Sequence, residues 1–303
     1  MNLLITGALG HIGSYIFNDL TKIKKIKKIY LIDNITNQRF SVIFRINHKK
    51  IKFLYGDLTD PKICSKIPKT DIVIHLASIT DSENSFNIKN QIYRNNIGAF
   101  KNILQYCAKN KAKLIHISST SVYGQKNKIA NEKEVDLNPS SPYAKIKLQE
   151  EKILKKQKKV KYITLRFGTI SGFSIGMRFH TAVNKFCFNS VMGLPIPIWG
   201  GTTKLYRPYL SLKDALKTIK FIINKKYFPS QIFNVLSENK TVEQILNIIK
   251  KNKIKIKKIN IVSKISNQLS FITSKNKIEK LGIKLNTKIA TDINNTIKNL
   301  KTY

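Results

Sequence analysis

The chain has 303 residues, 42% hydrophobic and 9% aromatic, with 13 Gly and 8 Pro. That is enough apolar material for a large core, and it excludes disordered, collagen-like and linker-like chains. Its 55 basic and 17 acidic residues give a formal charge of +38, which fits a polyanion partner.

A second explanation of the charge carries more weight. Only Arg39, Arg45, Arg94, Arg166, Arg178 and Arg207 are arginines, whereas nucleic-acid readers lean on Arg for bidentate contacts. The Lys excess is scattered along the chain beside heavy use of Ile and Asn, so we read it mainly as biased residue usage on solvated faces. No apolar run approaches the ~20 residues a bilayer demands. The N-terminus has no basic n-region and no cleavage site, as a signal peptide would. Cys64, Cys107 and Cys187 stand far apart with no CxxC, which predicts reduced thiols in a cytoplasmic protein and no metal site.

In chain order, apolar runs predict strands over residues 2–6, 29–33, 51–57, 71–77, 113–119 and 161–167. Helical stretches fall between them, near 11–22, 61–67, 88–109 and 142–157. Near-continuous apolar strands separated by helices predict a Rossmann-type α/β fold, a doubly wound parallel sheet covered on both faces. The alternation loosens after Gly168. Residues 173–188 read as irregular, then helical. Pro195, Pro197 and paired glycines mark 193–201 as a loop. A strand over 205–211, a helix over 212–224, a strand over 232–235 and a helix from 242 to about 251 follow. The tail from 253 to 303 reads as ordered and peripheral. Two units are expected: a nucleotide-binding domain over 1–168 and a smaller substrate-binding lobe over 169–303, with some chain crossing between them.

Thr6-Gly7-Ala8-Leu9-Gly10-His11-Ile12-Gly13 follows the first strand and opens the first helix. In that context Gly7 serves the turn, Gly10 lets a pyrophosphate approach the backbone, and Gly13 lets helix and sheet pack closely. Free N–H groups at the helix start favour the anion. Asp33 ends the second strand twenty positions after Gly13, where a carboxylate binds ribose hydroxyls and repels a 2′-phosphate. Asn34, Ile35 and Thr36 follow it with no arginine at once, which favours NAD over NADP.

Ser141 and Pro142 read as N-cap and first residue of a helix, which puts Tyr143 and Lys147 one turn apart on one face. An ammonium one turn away lowers a phenol's pKa and fits it for general acid–base work. The fifth strand delivers Ser118-Ser119-Thr120-Ser121 at its carboxyl end, where parallel sheets bind ligands.

With these residues in place the chain resembles the extended short-chain dehydrogenase/reductases, in the branch of NAD-dependent epimerases and dehydratases acting on nucleotide sugars. The resemblance spans nearly the whole chain. Besides the glycine loop, Asp33 and Tyr143-x-x-x-Lys147, it rests on Gly56-Asp57-Leu58, His75-Leu76-Ala77-Ser78, Asn95-x-x-Gly98, Ser118–Gly124, Arg166-Phe167, residues 207–214 and Phe233-Asn234-Val235.

The resemblance implies roles. Gly7, Gly10, His11, Ile12, Gly13 and Asp33 would hold NAD, with Asp57 and Leu58 beside the adenine and Ala77 along the pyrophosphate and nicotinamide side. Asn95 would brace the fourth and fifth strands. Tyr143 would be the acid/base, Lys147 would hold the nicotinamide ribose, and Ser119 would be the catalytic hydroxyl with Thr120 beside it. Arg207 would grip the substrate diphosphate, with Arg178 and Asn184 as further nucleotide contacts. Homodimers through the helices near 88–109 and 142–157 are the family's habit.

Departures from the family's patterns also inform. In 4,6-dehydratases Asp-Glu follows the catalytic hydroxyl, and in uronic-acid decarboxylases a Glu stands at the place of Ser121. Here Thr120-Ser121 follow Ser119. His11 replaces the usual aromatic residue of the loop, and Phe173 stands where Pro is frequent. The expectation is therefore a nucleotide-sugar epimerase, most like the 4-epimerases, with bound NAD and a nucleotide-diphosphate sugar as substrate, and with no membrane or nucleic-acid partner. A dehydrogenase or reductase using the same Ser–Tyr–Lys set, and a non-catalytic polyanion-binding protein, are the alternatives.

Overall fold

The structure is a computed structural model and describes residues 1–36, 39–126, 129–262 and 271–301. The first half alternates β1 (Asn2–Thr6), α1 (His11–Leu20), β2 (Lys28–Asp33), β3 (Ile51–Tyr55), α2 (Ile63–Lys66), β4 (Ile72–His75), α3 (Lys89–Asn110), β5 (Lys113–Ser119), α4 (Pro142–Lys156) and β6 (Tyr162–Phe167). The predicted strands are all present, with ends shifted by two residues at most. Beyond them come β7 (Thr169–Ser171), α5 (Ala182–Val191), β8 (Ile196–Trp199), β9 (Tyr206–Ser211), α6 (Leu212–Lys225), β10 (Gln231–Val235), β11 (Glu238–Thr241), α7 (Val242–Lys250), β12 (Lys258–Ile261), α8 (Asn276–Glu279) and α9 (Ile289–Leu300).

Seven strands form one parallel sheet in the order β10-β6-β5-β4-β1-β2-β3. The order reverses between β1 and β4, so a crevice opens at the carboxyl ends of these two strands. Leu3, Ile5, Leu31, Ile74, Ile115 and Leu165 are buried on one face against α1 and α6; Leu4, Val73 and Leu114 are buried on the other with Phe100 and Ile103 of α3. That two-sided burial explains why these strands read as unbroken apolar runs. The seventh strand, β10, comes from beyond residue 168 and pairs with β6, so the chain returns to the sheet after leaving it.

Two expectations are corrected. The segment read as a loop over 193–201 contains β8, which pairs in parallel with β12. Pro197 blocks a ladder hydrogen bond only from one residue of a short two-stranded ribbon, and Ile196 and Ile198 are buried beneath it. The tail is not peripheral. Ile289, Ile293, Ile297 and Leu300 of α9 share a core with Val183 and Cys187 of α5 and Ile245 and Ile249 of α7. Ile283 and Leu285 enter the main core. Asp292 ties α9 to β7 and β9 through Ser171 at 2.6 Å and Ser211 at 3.0 Å. Residues 263–270 of that tail lie outside the described residues.

Candidate active site

A cavity of about 780 Å³ lies over the sheet's crevice. The glycine loop forms its floor. Gly7 has φ +62°, and a side chain there would meet the backbone of Ala77 at 2.7 Å. Only glycine fits, and so β1 and the segment after β4 approach each other. Gly10 caps α1 with no side-chain hydrogen bond, which leaves first-turn N–H groups for a ligand. His11 does not point a charge at that ligand. Burial, with the nearby Arg178 adding to it, lowers its pKa to about 4, and its Nε2 donates to the Gly172 carbonyl at 2.8 Å.

Asp33 sits at the rim. Its two oxygens accept the N–H groups of Leu9 at 3.0 Å and Ile35 at 2.9 Å, which fixes the carboxylate beside the loop. The sequence reading missed Arg39, six positions on. It lines the same cavity, its guanidinium is close enough to feel Asp33, and its Nη1 is buried without a partner. No strand–turn–helix pattern points to this residue, because it precedes a short 3₁₀ turn over residues 40–45. Asp57 and Leu58 line the adjoining wall, with Asp57 accepting from Thr59 and Asn34. Ala77 lines it too, its N–H donated to the Thr6 hydroxyl at 3.1 Å.

Asn95 reaches the cavity, but the brace is its neighbour. Asn96 is fully buried and exchanges both its amide groups with the backbone of Ile79, at 2.8 and 3.0 Å. Asn95 donates to Asn96 at 2.9 Å and so acts at one remove. Helical geometry accounts for the difference: Asn96, like Ile92, lies on the buried face of α3.

Ser119, Tyr143 and Lys147 line the same cavity, with Tyr143 next to both of the others. Ser119 ends β5 and accepts from the N–H of Ser121 at 3.2 Å and from its hydroxyl at 2.8 Å. Thr120 is buried and turned to the Phe167 carbonyl at 3.3 Å, so Ser121 is the hydroxyl that backs Ser119. Ser141 caps α4 through the Ala144 N–H, with Pro142 in the first turn, and that start aims Tyr143 and Lys147 inward. Here the sign of the phenol's shift differs from expectation. Burial pushes Tyr143 above its ordinary value, and the pull of Lys147 and of the Ser119 hydrogen bond does not overcome it. Lys147 is itself buried. Burial works against its charge, but the Glu150 carboxylate at 2.9 Å outweighs that and holds the ammonium above its usual range.

The far end of the cavity is cationic. Arg207 is 9% exposed, stacks on Trp199 at 4.6 Å, and leaves Nε and Nη2 without partners. A buried guanidinium with orphaned donors facing a cavity fits an anion. Arg178 donates to Thr80 at 2.9 Å and comes close to Gly10, nearer the glycine loop than a substrate-end contact would be. Asn184 does not line the cavity. It is fully buried, and its amide spans Gly172 N–H and the Arg178 carbonyl at 3.4 Å each, so it shapes the 172–178 loop instead. Among the described residues no group of three His, Cys, Asp or Glu could hold a metal ion. None of the described helices is long and apolar enough to cross a membrane.

Comparisons with known proteins agree with this geometry. Residues 3–235 match the NAD dependent epimerase/dehydratase family. An uncharacterized UDP-glucose epimerase of Bacillus subtilis is 28% identical over 247 residues, covering 78% of this chain and 76% of that protein. A dTDP-D-glucose 4,6-dehydratase of Dictyostelium discoideum is 30% identical over 74% of this chain, which spans only 55% of that protein's length. Among solved structures, the UDP-glucuronic acid 4-epimerase of Bacillus cereus, in complex with UDP-glucuronic acid and NAD, superposes with a TM-score of 0.87 at 23% identity, over 100% of this chain and 99% of that one. A UDP-glucose 4-epimerase of Thermus thermophilus in complex with NAD gives 0.86 at 20% identity, over 99% of each chain. At those identities the likeness is one of fold, and the family match carries the assignment. The chain belongs to the NAD dependent epimerase/dehydratase family.

Proposed function

We propose that the protein is a nucleotide-sugar 4-epimerase that works on a UDP-sugar with bound NAD. The observation that carries this is the convergence of Ser119, Tyr143 and Lys147 on one cavity whose floor is a side-chain-free glycine cradle and whose far end holds an unpartnered arginine. The residues fit the cofactor: Gly7, Gly10, Ile12 and Gly13 would take the pyrophosphate, Asp33 the adenosine ribose, Asp57 and Leu58 the adenine, and Lys147 the nicotinamide ribose. When bound, NAD would take a hydride from the sugar's carbinol carbon and return it to the opposite face.

The chain's own part is proton work and grip. Tyr143 takes the hydroxyl proton as the carbinol is oxidised and gives it back on reduction. Ser119, backed by Ser121, holds the same oxygen. Arg207 neutralises the substrate diphosphate. Thr120-Ser121 offer no carboxyl pair for elimination, which favours epimerisation over the dehydration that some relatives perform. We extend the proposal to a homodimer in the cytoplasm, formed through α3 and α4, on the family's habit and on the exposed Tyr93, which bonds to Gln149 of α4 at 3.3 Å.

Incubation with UDP-glucose, UDP-glucuronic acid and UDP-N-acetylglucosamine, followed by proton NMR, tests the reaction. The expected result is a 4-epimer with no net NADH. Stoichiometric NADH with an oxidised sugar would make the protein a dehydrogenase instead.

A further inference from the structure

Helix α4 buries two adjacent carboxylates beneath the cavity. Tyr143, Lys147, Glu150 and Glu151 follow one another at helical spacing, and both glutamates are nearly inaccessible. Each has its own cation. Glu151 takes Arg166 of β6 through two bonds of 2.9 and 2.6 Å, and Ser118 at 2.5 Å. Glu150 takes Lys147 at 2.9 Å and, on the same Oε2, the Nε2 of His116 of β5, also at 2.9 Å. His116 is held in turn beside Thr164 at 3.3 Å and against Phe100. His75 of β4 stands within electrostatic reach of Glu150 and Lys147; burial, with Lys147 and His116 adding to it and Glu150 opposing, lowers its pKa to about 3 and keeps it neutral.

The Glu151–Arg166 pair fastens α4 to the sheet, and Glu150 adds a second tie through His116. Glu150 has no arginine. Its partner is the lysine that the proposed function assigns to the nicotinamide ribose. We propose that Glu150, oriented by His116, is a positioning residue that pins the Lys147 ammonium beneath the cavity and keeps it charged, leaving two of its three N–H donors for the ribose. This rests on the functional reading above. A lone ammonium this deep would shed its proton, and a lysine free to swing would lose its aim. A hydrogen-bonded carboxylate at contact distance prevents both.

The sign of the effect follows from charge. A buried anion beside two titrating groups raises the pKa of each, so removing it lowers both. Burial opposes the charge of Lys147 and Glu150 restores it; burial raises Tyr143 and Glu150 raises it further. The groups facing Glu150 are Lys147, Tyr143 and Glu151 on α4, His116 on β5 and His75 on β4.

Glu150→Gln tests the proposal in the intact protein with NAD as the probe. Calorimetry of NAD binding across pH reads Lys147 without any substrate. The alkaline loss of affinity should move about one unit toward acid, so the fall relative to wild type should be slight at about pH 8 and approach about tenfold above the wild-type limb. The limbs of the pH–rate profile should move the same way. Glu150→Asp keeps the charge and withdraws the contact, so it should move the alkaline limb by less than Gln; it also covers a Gln variant that fails to fold. Limbs that stay in place in either folded variant, whatever happens to stability or kcat, overturn the positioning role. A wild-type protein that binds no NAD would overturn the functional reading instead.

Discussion

Tyr143→Phe removes one hydroxyl and little else. The Tyr143 ring packs among Ile79, Ile88, Ile92, Ile97 and Ile146, and all those contacts survive in phenylalanine. Loss of the hydroxyl beside Ser119 should cost at most about 1 kcal/mol of stability, offset by easier burial of the apolar ring. Lys147 stays pinned by Glu150, so NAD affinity should change less than about threefold. Turnover should collapse. General acid–base groups contribute about 10²–10⁴-fold, or roughly 2.7–5.5 kcal/mol of barrier. The fall should reach or exceed that range, because oxidation of the carbinol cannot proceed while its proton has nowhere to go. The assay is epimer formation by NMR, run beside NAD calorimetry and thermal melting on the same preparation. A folded, NAD-binding Phe variant with near-normal turnover would show that Tyr143 is only a packing residue, and the epimerase reading would fall with it.

Ser119→Ala should lower kcat by only about tenfold, because the Ser121 hydroxyl lies 2.8 Å from the lost one, while Ser119→Ala with Ser121→Ala should reach about 10²-fold; equal losses in steady-state kinetics would refute the backup role. Asp33→Asn should erase most of an NAD preference of about 2 kcal/mol and raise NADP affinity roughly 30-fold relative to NAD, with Arg39 left to face the phosphate; an unchanged ratio in calorimetry sinks this. Asp292, whose pKa burial raises to about 6 against the pull of Ser171 and Ser211, favours the folded state when protonated, so its contribution is lost as pH rises from about 4 through about 6. Relative to wild type, Asp292→Asn should gain about 2 kcal/mol between pH 4 and pH 7.5 in denaturant titrations, and a constant difference would refute the assignment.

The parts of the fold that sequence reveals are those where one local rule suffices. A strand buried on both faces must be apolar throughout, so β1, β4, β5 and β6 declare themselves, and Gly7 declares the turn that only glycine can make. The second core does not declare itself, because it is assembled from pieces far apart. Strand β8 has four residues, two of them buried, and its partner β12 lies about sixty positions on. Helix α9 sits in a Lys- and Asn-rich tail whose polar face masks Ile289, Ile293 and Ile297.

The site divides in the same way. Ser119, Tyr143 and Lys147 occupy positions fixed by a strand end and a capped helix start, and spacing is enough to find them. Glu150 and His116 escape notice for a physical reason. On an exposed helix, Glu three residues after Lys is an ordinary solvated pair, and His in a strand is an ordinary core residue. Only burial separates that bland pair from a charge held in place. Ionic partners cost free energy to desolvate, so an apolar pair of similar volume would serve stability as well or better. The retention of an ionised Lys147–Glu150 contact directly below the proposed ribose site therefore argues for a need that packing alone does not supply.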